Sequence, residues 1–299
     1  MMKIDSARIS FMRICRDLFY NLYEKLKDAD CINLQEHSSF TQALNLKLDD
    51  KLISILNEDK VLAPYSLTLP IDFFIKYSPH NHLFFKKGKN DSVVLFLPKN
   101  LEQYIFTSEN CEDLKLNLQL KIQFKDDFFK IFFTYLNKNK RQNSLFESIF
   151  DKKDPFCQEK YEKLKINSLS ADNLNIQSFS RALSDFLGLG SGLTPSGDDF
   201  ILGFLFIFTL YNAQSLSYIS EEIKKQLTLT NDISATMLKH ALSKRFNLNL
   251  IKTAHYLQKI NPANYNDSID GIFSLKNYGH SSWQDCLLGI YTALLLFKA

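Results

Sequence analysis

The chain has 299 residues, 45% hydrophobic and 23% charged, with a formal net charge of +3. That is ample material for one large core or two ordinary ones, and the balanced charge excludes a nucleic-acid protein built on a dense basic stripe. Five scattered cysteines without a CxxC pair exclude a disulfide framework and a cysteine zinc site, and suit a reducing cytoplasm.

Residues 8–27 set Met12, Cys15, Leu18, Phe19, Leu22, Tyr23 and Leu26 at helical spacing. Lys3, Arg8, Arg13 and Arg16 interrupt any apolar stretch, so no signal-peptide pattern is expected. From about residue 31 to 120 the texture changes. Short segments at 61–62, 65–69, 82–85, 93–97 and 104–106 lie between Pro, Gly, Asn and Asp, and predict a β-rich region. Lys87-Gly88-Lys89-Asn90-Asp91 reads as a hairpin turn. Residues 126–136 return to an aromatic helical pattern. The polar break Asp151-Lys152-Lys153-Asp154-Pro155 is the expected domain boundary. Beyond it helices are expected at about 172–187, 197–211, 218–227, 232–245, 248–259 and 282–297. The fold class is therefore α+β. A mixed, β-rich N-terminal domain (1–155) precedes an all-helical domain (156–299) that carries a glycine-rich loop at a helix N-terminus.

That loop is the most informative stretch. Four of the nine glycines (Gly188, Gly190, Gly192 and Gly197) fall within ten residues, before Asp198, Asp199 and an apolar run over 200–210. The run is too short to span a bilayer comfortably and reads as a core helix. A glycine loop emptying into a helix start offers N–H groups and the positive end of the helix dipole to an anion. Thr194 and Ser196 add hydroxyls. Asp198 and Asp199 stand where a Mg²⁺ ion or a proton acceptor would be useful, although no cofactor is required by the sequence. The device has an echo: Ser196-x-x-Asp199-x-x-x-Gly203 and Ser282-x-x-Asp285-x-x-x-Gly289. Capping and close helix packing alone could account for the second copy. Beside it stand Gly279, His280 and Ser281, and a histidine next to a glycine at a helix start is an acid–base or anion-binding candidate. A third start lies at Thr230, read as an N-cap, with Ser234 in the following turn. The expectation is that these starts converge on one pocket.

Other motifs carry less. His80 and His82 alternate without acids or cysteines at ligand spacing, and the P-loop, the nucleophile elbow and the dinucleotide fingerprint are absent.

The string from Gly188 to Phe200, then Thr230 and Ser234, then Gly279-His280-Ser281-Ser282, resembles in order and spacing the AllH family, a subunit of oxamate carbamoyltransferase. The likeness extends over most of the chain, with a β-rich half and a proline near Pro64. It implies phosphorolysis of oxalurate to oxamate and carbamoyl phosphate in purine (allantoin) breakdown. It also implies sister subunits, one of them similar to acyl-CoA synthetases, with neither nucleic acid nor membrane as partner. In that setting Gly190, Gly192 and Ser196 would bind anions. Asp199 or Asp198 would hold Mg²⁺ or orient a proton, and His280 would polarise or protonate the leaving nitrogen. Trp283 departs from the family pattern, which has glycine there, and would reshape or partly close the second helix start. Two alternatives stand beside this reading. One is a small-molecule kinase, since Gly188-Leu189-Gly190-Ser191 is similar to a glycine–serine phosphate loop. The other is a non-catalytic structural or regulatory subunit whose glycines pack helices.

Overall fold

The computed structural model describes residues 12–78, 82–168, 176–260, 272 and 282–297. The fold is α+β, with strands in the N-terminal part and helices in the C-terminal part. Two compact units are present, Met1–Lys115 and Leu116–Ala299.

The first unit holds β1 (Ile14–Cys15), α1 (Arg16–Asp28), β2 (Cys31–Phe40), β3 (Ala43–Leu48), β4 (Lys51–Asn57) and β5 (Ser66–Leu69). It continues with α2 (Ile71–Lys76), β6 (Leu83–Lys87), β7 (Val93–Leu97), β8 (Glu102–Phe106) and β9 (Cys111–Glu112). The strands form one sheet in the order β8-β7-β6-β2-β3-β4-β5-β1-β9. Among the described residues only β4/β5 and β1/β9 pair in parallel. Period-two alternation turns Leu44, Leu46 and Leu48 of β3, and Ile53 and Ile55 of β4, into the core. α1 buries Leu18, Phe19, Leu22 and Leu26, the positions its periodicity marks. It starts at Arg16 because Ile14 and Cys15 pair with β5 and β9 instead. The segment 61–62 is not a strand, while β2, β3 and β4 just before it are. The turn between β6 and β7 is where the sequence places it: Gly88 N–H bonds Ser92 O at 2.9 Å. Asn90 and Asp91 there adopt positive φ, which short polar side chains tolerate.

The second unit holds α3 (Asp126–Lys138), α4 (Leu145–Phe150), α5 (Pro155–Ser168), α6 (Ile176–Ser184), α7 (Ser196–Leu210), α8 (Leu216–Gln226), α9 (Asp232–Leu242), α10 (Leu248–Lys259) and α11 (Ser282–Leu296). The polar break at 151–155 lies within this unit. It is the turn between α4 and α5, with Asp154 accepting the N–H groups of Phe156 and Cys157 at 2.9 and 3.4 Å. α3 and α4 belong with the later helices because Phe128, Phe132 and Phe146 are buried in the same core as α7 and α11. All of α7 from Gly197 to Leu210 is buried. A helix apolar all round is a central one, and its most extensive partner is α11.

Candidate functional site at the paired helix starts

α7 and α11 approach backbone to backbone. A Cβ built on Gly203 would sit 2.0 Å from the carbonyl oxygen of Cys286, and one on Gly289 would sit 2.0 Å from that of Phe200. The two glycines hold matching places in the sequence echo, and so do Phe200 and Cys286. The contact is therefore pseudo-two-fold. The helices start at the same end: the Thr194 and Ser282 hydroxyls lie 2.9 Å apart, and the Ser196 hydroxyl reaches Asp285. Two parallel dipoles placed side by side repel, so their joint N-terminus favours negative charge.

The loop before α7 is shaped by close approach. Gly188, Gly190 and Gly192 all have positive φ. A Cβ on Gly188 would lie 2.2 Å from Leu229 O, and one on Gly197 would lie 1.9 Å from Phe186 O. At Gly192 nothing lies within 4 Å, and residues 190–193 are exposed. Packing therefore explains Gly188 and Gly197, while Gly192 keeps φ at 104° in open space. The first donors of α7 are partly used: Gly197 N–H bonds Leu189 O at 2.8 Å, and Asp198 N–H and Asp199 N–H bond Pro195 O at 2.9 and 3.2 Å. The N–H groups of residues 190–194 have no backbone acceptor among the described residues.

The two adjacent aspartates do different work. Asp198 Oδ1 accepts Gly188 N–H at 2.9 Å, and Oδ2 accepts the Thr230 hydroxyl. Asp198 thus ties the loop to the segment before α9. Thr230 is not the N-cap of that helix. Asn231 is, accepting the N–H groups of Ile233 and Ser234 at 3.1 and 3.0 Å. The extra residue frees the Thr230 hydroxyl for Asp198. Ser234 is buried, and its hydroxyl has no partner among the described residues.

Asp199 is fully buried, and neither of its oxygens closes a hydrogen bond among the described residues. The hydroxyls of Ser282 and Thr194 stand beside it but are turned to one another. Burial lifts its pKa well above the ordinary carboxyl range. Ser282 opposes the rise, the Asp285 charge adds to it, Thr194 opposes it and Asp198 adds to it. Asp285 is its counterpart on α11. Its Oδ1 accepts Leu145 N–H at 2.7 Å, while Oδ2 is buried without a closed hydrogen bond. Burial pushes its pKa up to about 7, against the pull of Leu145 N–H and the Ser196 hydroxyl.

Thr194, Ser196, Asp199 and Ser282 therefore come together, and Asp198 with Thr230 joins the loop to them. Gly279, His280 and Ser281 lie outside the described residues, as does His80, and His82 is exposed. Sequence reasoning passed over Asp285 as a site residue, although the repeated Ser-x-x-Asp spacing was the signal for it. Each Asp198 oxygen accepts one protein donor, whereas Asp199 closes no hydrogen bond among the described residues. No group of three or more His, Cys, Asp or Glu side chains suited to a metal occurs among the described residues. Beside Trp283, Ser282 meets Thr194. The indole is buried toward α3, edge-on to Tyr135 at 6.3 Å with the Arg141 guanidinium 5.5 Å from its ring centroid.

The fold and site define an α+β protein whose helical unit is organised around two joined helix N-termini with buried carboxyls. Residues 186–294 match the family described as oxamate carbamoyltransferase subunit AllH. The match spans the glycine loop, α7 and most of α11, the stretch whose motif resembles that family in the sequence. No solved structure matches the chain. Among the described residues no helix is long and apolar enough to cross a membrane.

Proposed function

We propose that the chain is the subunit of an oxamate carbamoyltransferase system that binds the small anions of the reaction, and that carbamoyl transfer between oxalurate and phosphate takes place at the start of α7 and α11. One observation carries this reading. The exposed residues 190–193, whose N–H groups have no backbone acceptor among the described residues, precede two joined helix N-termini, backed by the buried Asp199, which closes no hydrogen bond among those residues. Phosphate and the oxalurate carboxylate are both anions of the kind such ends hold. Loop N–H groups also suit the oxyanion that develops as phosphate adds to the carbamoyl carbonyl. Gly190, Gly192 and Ser196 are the anion contacts, and Thr194 and Ser282 present hydroxyls to the reacting group. His280, two residues before Ser282 in the sequence, is a candidate to polarise the leaving group. Sister subunits complete the enzyme in this reading, one of them similar to acyl-CoA synthetases, with allantoin-derived oxalurate as its substrate.

A non-catalytic subunit is the second reading, favoured by the glycines at 188, 197, 203 and 289, each filled by a neighbouring backbone. Thermal unfolding separates the two. The full chain is melted with phosphate, carbamoyl phosphate, oxalurate, oxamate or ATP, each with and without Mg²⁺. A ligand at 100 times its Kd adds about 2.7 kcal/mol. A rise with phosphate or carbamoyl phosphate that Gly192→Val abolishes supports the anion site. A rise with ATP alone favours a kinase, and no rise with any ligand favours the structural subunit.

A further inference from the structure

The second helix start is more than a packing copy of the first. Each helix of the pair places a buried aspartate behind the serine that opens the other. Asp199 of α7 stands at Ser282 of α11, and Asp285 of α11 stands at Ser196 of α7. The glycine contacts at 203 and 289 hold this crossed arrangement rigid. Both carboxyls are fully buried, whereas Ser196 and Ser282 keep part of their surface at the loop. A ligand at the helix starts meets the serines, and the aspartates act only through them.

We infer that Asp285 and Asp199 are the two ends of an acid–base pair that works through the hydroxyls of Ser196 and Ser282, an inference that rests on the carbamoyl-transfer reading above. The chemistry needs such a pair. A phosphate oxygen bonds to the carbamoyl carbon as the C–N bond to the oxamate nitrogen breaks. The phosphate hydroxyl gives up one proton, and the leaving nitrogen takes one. Ser196 passes the phosphate proton to the Asp285 carboxylate. Ser282 passes the Asp199 carboxyl proton to the nitrogen. One proton enters the pair and one leaves, and exchange with water restores Asp199 as acid and Asp285 as carboxylate. The assignment of ends follows the environments. Asp199 accepts no hydrogen bond among the described residues and feels the charges of Asp285 and Asp198, so it keeps its proton. Asp285 is stabilised as a carboxylate by Leu145 N–H. Two carboxyls with separated pKa values are the usual mark of an acid and a base. Ser196 and Ser282 are the catalytic residues here, and the aspartates are positioning residues that hold protons. Cys286, buried against both carboxyls, has its thiol pushed well up by burial and stays neutral.

The test uses the full chain isolated with the subunits that accompany it in its own cell. Carbamoyl phosphate formation from oxalurate and phosphate is followed against pH for wild type, Asp285→Asn, Asp199→Asn, Ser196→Ala and Ser282→Ala, each checked for a cooperative unfolding transition. Wild type gives a bell-shaped kcat/KM profile. Asp285→Asn loses the acid limb, Asp199→Asn loses the alkaline limb, and each variant falls by roughly 100-fold or more. An Asp285→Asn profile that overlays wild type overturns the pairing and leaves carbamoyl transfer standing. A wild-type complex that forms no carbamoyl phosphate overturns the functional reading, and the pairing with it. Infrared difference spectra of the full chain give a readout without turnover. At about pH 9, above the titration of Asp285 near 7, a protonated-carboxyl band should vanish in Asp199→Asn and persist in Asp285→Asn, and a wild-type spectrum without that band also overturns the pairing.

Discussion

Gly203→Ala probes the contact on which the site depends. The added methyl would stand 2.0 Å from the Cys286 carbonyl oxygen, 2.9 Å from its carbon and 3.0 Å from Ile290 N. Ordinary contact begins near 3.4 Å, so α7 and α11 must separate by about 1.4 Å at this point. None of the close atoms is a flexible side-chain end that could move aside. A gap of even 0.5–1 Å forfeits roughly a quarter to a half of each dispersion contact it opens. Forced overpacking costs about 1–3 kcal/mol or more, while alanine regains about 1 kcal/mol of helix propensity. The net expectation is a loss near 2 kcal/mol, or about 4–8 °C in Tm for a unit of this size. Denaturant and thermal unfolding of the full chain measure it. Gly289→Ala faces the Phe200 carbonyl at the same 2.0 Å and should behave alike. The double variant should cost less than the sum, because helices parted by one methyl already admit the other. Wild-type stability in Gly203→Ala, or strict additivity in the double variant, would refute the backbone-contact reasoning.

Asp285 makes stability fall with pH. Its folded pKa of about 7 exceeds the ordinary 3.8, so the folded state binds the extra proton between those values. Its contribution is most favourable below pH 3.8, declines as pH rises and is fully lost above about 7. The total is of order 4 kcal/mol. Asp285→Asn keeps an acceptor for Leu145 N–H and carries no charge, so it should be more stable than wild type at alkaline pH with a flatter profile. An unchanged pH dependence on titrating unfolding midpoints would count against the burial argument. Asp198→Ala strands Gly188 N–H and the Thr230 hydroxyl. It should cost about 2–4 kcal/mol and speed limited proteolysis within 190–193; an unchanged cleavage rate would show that the loop does not hang on Asp198. Trp283→Gly empties a fully buried indole site, and about 3–5 kcal/mol of stability should go with it. A variant as stable as wild type would mean that the helix start closes over the space.

The local features were legible in the sequence wherever one chain segment sufficed to specify them. The α+β division follows from a change of texture, short apolar segments between turn residues over about 31–120 and helical patterns from the aromatic stretch onward. The apolar run beyond Asp199 announces a central helix, and the Gly88 turn announces a hairpin. The glycine string marks a loop at a helix start, and the likeness of this stretch to the AllH family is readable from the residues themselves. What depends on partners distant in the chain was not legible. Nothing local says that 151–155 joins two helices of one unit, because the aromatic packing that draws in α3 comes from Tyr291 and Trp283 of α11. The twin aspartates read as equals, yet Asp198 is spent on Gly188 and Thr230 while Asp199 closes no hydrogen bond among the described residues, a difference set by which face of α7 meets which neighbour. Asp285 looked like a capping residue until α11 lay against α7. The sequence by itself determined that two Ser-x-x-Asp-x-x-x-Gly helices exist. Only the tertiary structure decided that they lie side by side from the same end, because two glycine-to-carbonyl contacts bring the backbones together and so bury both carboxyls at one joint N-terminus.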